Sequence, residues 1–482
     1  MTNLLLTLCP PLPVVCPPLA MASLATYVRT RGYSVSLYDL NTRMAASASR
    51  VGLPGSFELG FLPRGVALRE AWDDPYLDVW LPPRLHRLLQ HFEAEIVSLI
   101  QELHRVQPAV VGFSIYRHNL VCTLEIARRI RAVSDRITLI LGGPFLPGEF
   151  PIEMLDREVV DAFVACEGEQ RLEHILARAS TGGREAVREL TATNLILEQA
   201  PFQDLDKIPP LRYDGLDLSF YEPGKAHLIT SRGCPHRCSF CTDRHYHGPF
   251  RSHSINNVLA QIQYLTEELG RTNLVIYDLT FNANPKRLAA LCQGILDRGF
   301  QVSWDALVRV NTATTAELLT LMKKAGCHAL MIGLESGSDT VLRRMNKGFT
   351  VAEARHMLRD AKRARIETRI NLIVGFPGEE ESHHLETIHF LETERSSLDA
   401  ICVLSTYHLM PNSEVWHSRE TLGLLPAKTH TFAWEGKDGN TLAVRLDRCE
   451  HIVGACMKLG IRIDNSSLGL IRNALEKEPS TS

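Results

Sequence analysis

Three cysteines in the run from Ser231 to Thr242 have the spacing of a metal-binding loop. Cys234, Cys238 and Cys241 are separated as C-x3-C-x2-C, directly after a short apolar run that ends at Thr230. Three thiolates on one tight loop can hold three irons of a cubane cluster, which leaves the fourth iron open to a substrate. Most four-iron sites use four cysteines, so a set of three points to chemistry rather than electron storage. Two other readings stay open. A structural zinc needs a fourth ligand, which His236, His245 or His247 can offer, and a disulfide plus one free thiol is the third.

Such a loop has to be held by the elements around it. Residues 191–225 carry few periodic signals and several prolines and read as a linker. Six strand–helix units follow, with strands expected over 226–231, 273–278, 302–309, 328–334, 368–375 and 400–407. They predict a partial (β/α)6 TIM-like barrel over 226–410, with its chemistry at the carboxyl ends of the strands. Asp278 and Thr280 follow the second strand and Arg309 the third; Glu335, Ser336 and Ser338 follow the fourth; Val374, Gly375 and Phe376 close the fifth. Each has a plainer reading as a turn or cap, and Ser336 and Ser338 suit capping. Residues 411–482, with Asn412, Trp416 and Trp434, read as a small C-terminal capping segment.

Residues 1–190 also alternate strand and helix signals. Strands are expected over 4–8, 35–40, 110–115, 137–141 and 159–165, and helices over 19–31 and 124–133. Leu85, Leu88, Leu89, Phe92, Ile96, Leu99, Ile100 and Leu103 recur at helical spacing and predict one amphipathic helix. The pattern is that of an α/β, Rossmann-like, doubly wound parallel sheet, in which ligands bind beyond the carboxyl ends of the strands. Those ends carry Pro10 and Pro11; Ser114, Tyr116, Arg117, His118 and Asn119; Gly142 and Gly143; and Glu167, Gly168 and Glu169. Paired glycines let a flat ligand approach the backbone, although glycine and proline also simply make turns. No G-x-G-x-x-G occurs, which disfavours a nicotinamide dinucleotide. Residues 42–82, with Trp72, Trp80 and no clear period, read as an insertion packed on the sheet.

Composition narrows the setting. The 482 residues carry 52 basic and 55 acidic side chains, a net charge of −3 without a basic block, so the electrostatic footprint of a nucleic-acid binder is missing. No apolar run reaches the roughly 18 residues of a membrane span. Of twelve cysteines only the three in the loop cluster; the rest lie in apolar runs as small hydrophobes, the pattern of a reducing cytoplasm.

The cysteine spacing, with Phe240 as the aromatic before the last cysteine, resembles the radical S-adenosylmethionine (SAM) superfamily. The Pro10-Pro11, Ser114, Gly142-Gly143 and Glu167–Glu169 series ahead of it resembles the cobalamin-binding domain of the B12-dependent members, of the class B methylase type. The likeness runs over about residues 1–415 and is strongest over 226–380. It implies a [4Fe–4S] cluster on Cys234, Cys238 and Cys241. It implies SAM contacts from Phe240, Asp278, Thr280, Arg309, Glu335, Ser336, Val374, Gly375 and Phe376, with Asp278 and Thr280 at the SAM ammonium, Arg309 at its carboxylate and Glu335 at the ribose. It implies cobalamin contacts from Pro10, Pro11, Ser114, Tyr116, Arg117, Asn119, Gly142, Gly143, Glu167, Gly168 and Glu169. The Asp-x-His-x-x-Gly motif of the methionine-synthase type does not occur in residues 1–190, so cobalt is expected without a histidine beneath it. The implied reaction is methylation of an unactivated carbon of a small molecule, fed by a flavodoxin- or ferredoxin-type electron donor. A non-methylating rearrangement, cyclisation or oxidation, a cobalamin-free radical enzyme and a non-catalytic sensor remain the alternatives.

Overall fold

The computed structural model describes residues 3–50, 82–145, 154–192, 196–198, 200–427 and 431–466. The stretch 51–81, with Trp72 and Trp80, lies outside the described residues, so the expected insertion is described only where 40–50 form a helix, Leu40–Arg50. The chain divides into two units, at His227 and Leu228.

The first unit is a six-stranded sheet of β1 (Asn3–Leu8), β2 (Ser34–Asp39), β3 (Val110–Ser114), β4 (Thr138–Gly143), β5 (Ala162–Ala165) and β6 (Ile196–Glu198), in the order β2-β1-β3-β4-β5-β6. All its pairings are parallel. Strand β6 comes from inside the stretch expected as linker, and two short 3-10 turns follow it at Leu205–Lys207 and Leu218–Phe220. Successive side chains of a strand point to opposite faces, and here both faces are apolar. Leu5, Val111, Leu139 and Phe163 pack with Leu88, Ile96 and Ile126 on one side. Leu4, Leu6, Val110, Ile140 and Val164 pack with Val28, Leu172 and Ile175 on the other. This is the doubly wound arrangement expected. The single helix expected around Phe92 is two, Pro82–His91 and Glu93–Val106. Phe92 leaves helical geometry (φ −102°, ψ 26°) while staying buried, so the apolar stripe runs unbroken across a backbone break that periodicity does not register.

The second unit opens with β7 (Lys225–Leu228), whose first residues lie just ahead of the division. A two-residue ladder of β8 (Ser231–Arg232) with β9 (Arg251–Ser252) follows. Then come β10 (Asn273–Ile276), β11 (Ser303–Val308), β12 (Cys327–Glu335), β13 (Glu367–Val374) and β14 (Ala400–Thr406), with helices between them. A small hairpin pairs β15 (Leu424–Leu425) with β16 (Glu435–Gly436), and the helix Leu442–Leu459 leads to β17 (Arg462–Ser466). The sheet order is β17-β14-β13-β12-β11-β10-β7. The expected six-stranded partial barrel is therefore extended by a seventh strand, drawn from the stretch expected only to cap it; β17 pairs parallel with β14. Alternate residues of β13 are buried, Thr368, Ile370, Leu372 and Val374, against the surrounding helices. At the amino ends of the strands, Glu367 pairs with Arg369 and Arg462, the face that in barrels serves stability.

Candidate functional site

The cysteine loop is anchored at both of its ends. Strand β7 stops at Leu228 instead of running on to 231 because the next residues turn onto Asp278. Thr230 N and Ser231 N donate to Asp278 Oδ1 at 2.7 and 3.1 Å. Their hydroxyls donate to Oδ2, both at 2.6 Å. Arg287 donates to Thr230 O at 3.1 Å from outside. Gly233 then has φ +78°, and a Cβ there would lie 2.4 Å from Pro249 O, so only glycine lets the two arms of the loop close.

Within the loop each thiol has a polar neighbour. Cys234 Sγ lies 3.3 Å from Thr280 Oγ1. Cys238 Sγ accepts from Arg309 Nη1 at 3.1 Å. Cys241 lies 3.5 Å from Asp243 Oδ2, and burial, with that carboxylate, pushes its thiol pKa up. The backbone is pinned from the next strand end: Ser239 N donates to Met345 O at 3.0 Å, and Asn346 Nδ2 to Arg237 O at 2.7 Å. Phe240 packs against the apolar cluster of Val341, Met345, Phe376, Tyr407, Val415 and Trp434. Among the described residues no three His, Cys, Asp or Glu side chains converge on one ion-sized point. Cys234, Cys238 and Cys241 nonetheless lie on one braced loop, with a cation on one of them, and three soft thiols are a donor set whose chemistry suits an iron–sulfur cluster.

The other residues singled out around this loop lie at the same carboxyl edge, after β10, β11, β12 and β13, but they are not equally available. Asp278 is buried and its four donors are protein groups, so its carboxylate braces the loop; burial pushes its pKa up against those donors. It is not disposed to receive a ligand's ammonium as expected. Ser336 Oγ is 3.3 Å from Thr387 Oγ1 and accepts from Ser338 N at 3.2 Å. Ser338 sits at the N-cap of Asp339–Arg344 without a side-chain cap bond. Glu335 adopts φ +73° and is paired, Oε1 to Lys347 Nζ at 3.1 Å, with both side chains buried. Lys347, not singled out from sequence, also lies 5.7 Å from the Phe240 ring and 5.5 Å from the Phe349 ring. Its only sequence signal is its place between Asn346 and Gly348, residue types that favour turns; both adopt positive φ here, +54° and +65°. Gly375 has φ +76° and donates from N to Glu379 Oε2 at 3.1 Å, and Phe376 is buried edge-on to Tyr407.

In the first unit the four segments singled out emerge side by side. Leu8 is in register with Ser114, Ser114 with Gly142, and Gly143 with Ala165, so the loops after β1, β3, β4 and β5 share one edge of the sheet. Their residues divide into braces and free surface. Asn119 is wholly buried: Nδ2 donates to Cys9 O and Ser114 O at 3.1 and 3.2 Å, and Oδ1 accepts from Tyr116 N at 2.7 Å. It braces the loop and does not face outward as expected. Gly143 is glycine for a packing reason, since a Cβ would lie 2.3 Å from Ile115 O; Gly142 has no such obstruction. Glu167 is buried and accepts from Phe202 N at 3.3 Å, and Glu169 is buried at the start of the helix Glu169–Leu190. Pro10 and Pro11 are buried, Gly168 is half-buried, and Arg117 is exposed. Tyr116 and His118 stack with centroids 5.7 Å apart and planes 4° from parallel. His118 Nε2 is buried without a hydrogen-bond partner, and burial lowers the ring's pKa. A rim of half-exposed glycine, stacked rings and one orphaned buried nitrogen fits a large flat ligand lying on it.

Residues 228–391 match the family profile of the Radical SAM superfamily. The chain is 27% identical over 334 residues to an uncharacterized methyltransferase of Pyrococcus horikoshii, covering 67% of this chain and 71% of that one. It is 25% identical over 298 residues to the anaerobic magnesium-protoporphyrin IX monomethyl ester cyclase of Cereibacter sphaeroides, covering 58% of this chain and 49% of the cyclase. The fold resembles that of the radical SAM methyltransferase TsrM from Kitasatospora setae, solved with tryptophan and a SAM analogue, at a TM-score of 0.67 and 15% identity over 95% of this chain and 89% of that one. It also resembles the cobalamin-dependent SAM radical enzyme OxsB with aqua-cobalamin bound, at a TM-score of 0.59 and 19% identity, over 87% of this chain and 55% of that one.

Proposed function

From a chain that carries a radical SAM domain over residues 228–391, we propose a cobalamin-dependent radical SAM enzyme that methylates an unactivated carbon of a small molecule. The observation that carries this reading is the braced loop of Cys234, Cys238 and Cys241, with Arg309 on one thiol, in a chain whose first unit presents a registered ligand edge. Its support from relatives is the methyltransferase likeness, the longer of the two sequence alignments described above.

In this reading Cys234, Cys238 and Cys241 hold the cluster, and the edge carrying Gly142 and Tyr116 holds cobalamin. Bound together, cluster, SAM and cobalamin supply the electron, the 5′-deoxyadenosyl radical and the methyl group. The chain's own work is placement and exclusion of water. Asp278, taking four donors, fixes where Cys234 leaves the sheet. Thr280 and Arg309 meet the polar end of SAM beside the thiols. Lys347 and Glu335, a neutral buried pair overall, present a charged donor toward the same end. The turn from Val374 to Phe376 takes the adenine. The electron comes from a flavodoxin- or ferredoxin-type protein in the cytoplasm, a setting compatible with cysteines used as buried thiols, Cys9, Cys122, Cys292, Cys327, Cys449 and Cys456. No helix among the described residues is long and apolar enough to cross a membrane.

Anaerobic incubation of reconstituted enzyme with methyl-labelled SAM and candidate substrates tests this. A methylase gives 5′-deoxyadenosine together with S-adenosylhomocysteine and a labelled product. Formation of 5′-deoxyadenosine and a rearranged or cyclised product without S-adenosylhomocysteine would favour the second reading, to which the likeness to the cyclase points.

A further inference from the structure

We propose that Asn440 and Arg445, outside the region matched to the family, are positioning residues for the nucleotide of bound SAM, because together they fix the turn at Gly375 from behind. The inference rests on the reading that this turn takes the adenine.

The peptide groups of Gly375 are held on both sides. Its N–H donates to Glu379, and its carbonyl accepts from Asn440 Nδ2 at 3.0 Å; the same amide donates to Phe376 O at 3.3 Å. Asn440 is itself buried and immobilised. Its N–H donates to Asp438 Oδ1 at 3.1 Å, its carbonyl accepts from Gly436 N at 3.1 Å, and Arg445 Nη1 donates to that carbonyl at 2.8 Å.

Arg445 is fully buried, and its partners are carbonyl and amide oxygens. Nη2 donates to Phe432 O and Trp434 O at 2.9 and 2.6 Å, and the guanidinium lies 3.9 Å from the centroid of the Trp434 ring. A buried cation without a contacting carboxylate is costly, and here its donors tie together the carbonyls of Phe432, Trp434 and Asn440, which an apolar side chain could not do. Its stem does the rest. A Cβ on Gly375 would lie 2.2 Å from Arg445 Cγ and 2.4 Å from Cδ. The turn, already confined to positive φ, therefore cannot relax backwards. Backbone that must meet a flat base at a set distance needs this kind of backing.

The test uses anaerobically reconstituted holoenzyme carrying Asn440→Ala or Arg445→Met. The methionine keeps the stem and removes the donors, so its fold is expected to survive; the alanine leaves the cation in place. Iron content and the cluster's electron paramagnetic resonance signal should match wild type. Affinity for SAM should fall about fivefold to tenfold, the weight of one or two hydrogen bonds, with the loss in KM for SAM rather than kcat. Binding of methionine, which lacks the nucleotide, should be unchanged. Equal weakening of SAM and methionine, or wild-type SAM affinity in cluster-loaded variants, would overturn the positioning role while leaving the proposed function standing. Wild-type enzyme that fails to bind SAM at all would overturn both.

Discussion

Arg309 places a guanidinium N–H 3.1 Å from the sulfur of Cys238, and the same guanidinium lies 5.4 Å from the centroid of the Phe349 ring. A permanent cation hydrogen-bonded to a cluster sulfur stabilises the reduced, more negative state. Arg309→Met is expected to lower the midpoint potential by on the order of 60 mV, a tenfold shift for one electron. Arg309→Gln, which keeps a donor without the charge, should shift it less. A redox titration giving equal potentials for all three proteins would remove Arg309 from this role.

Each of Cys234→Ala, Cys238→Ala and Cys241→Ala should abolish SAM cleavage and leave reconstituted protein short of iron. Iron and sulfide analysis beside a 5′-deoxyadenosine assay decides it. Retention of a full cluster by any single variant would mean that another side chain closes the site.

Asp278→Ala strands two backbone N–H groups and two hydroxyls in a buried place. Each unsatisfied group costs roughly 1–3 kcal/mol, so a loss of at least about 3 kcal/mol is expected. Asp278→Asn should lose less, because one acceptor oxygen remains. Urea unfolding of the apoprotein measures both; an alanine variant as stable as wild type would contradict the bracing role.

The strand ends were legible because their chemistry is local. A C-x3-C-x2-C run and the Gly375 turn are written in neighbouring residues, and strand–helix alternation follows from periodicity. What sequence reading missed depends on contacts between distant residues. Asp278 looked available until the hydroxyls of Thr230 and Ser231, some 48 residues earlier, proved to occupy it. Gly143 looked like a ligand-facing glycine, yet its missing side chain makes room for Ile115. Lys347 sits in a turn with no apolar period, and its importance appears only once Glu335 folds back on it. Strand β17 is short and polar, and only its pairing with β14 reveals it.

Glu379 predicts a pH effect. Burial raises its carboxyl from 4.5 to about 7, and Arg448, 3.6 Å away, offsets this only in part. Between those values the folded protein keeps a proton that the unfolded chain has released, so stability falls as pH rises through the interval. Glu379→Gln, which can still accept from Gly375 N, should flatten that slope. Unfolding midpoints at pH 5 and pH 7.5 test it; the same slope in both proteins would place the titration elsewhere.

Cobalt bound to the first unit is expected to lack an imidazole below. The cob(II)alamin resonance should show no nitrogen triplet on its high-field lines. A triplet that vanished in His118→Ala would instead assign the orphaned His118 nitrogen to the metal.

The pairing of β17 with β14 has a consequence for shortened versions of this protein. Cutting the chain after Asn440 would strip away more than a peripheral tail: it would bare a row of unsatisfied amides and carbonyls along β14, an adhesive margin open to other molecules. The expected product is an insoluble aggregate rather than a smaller, idle enzyme.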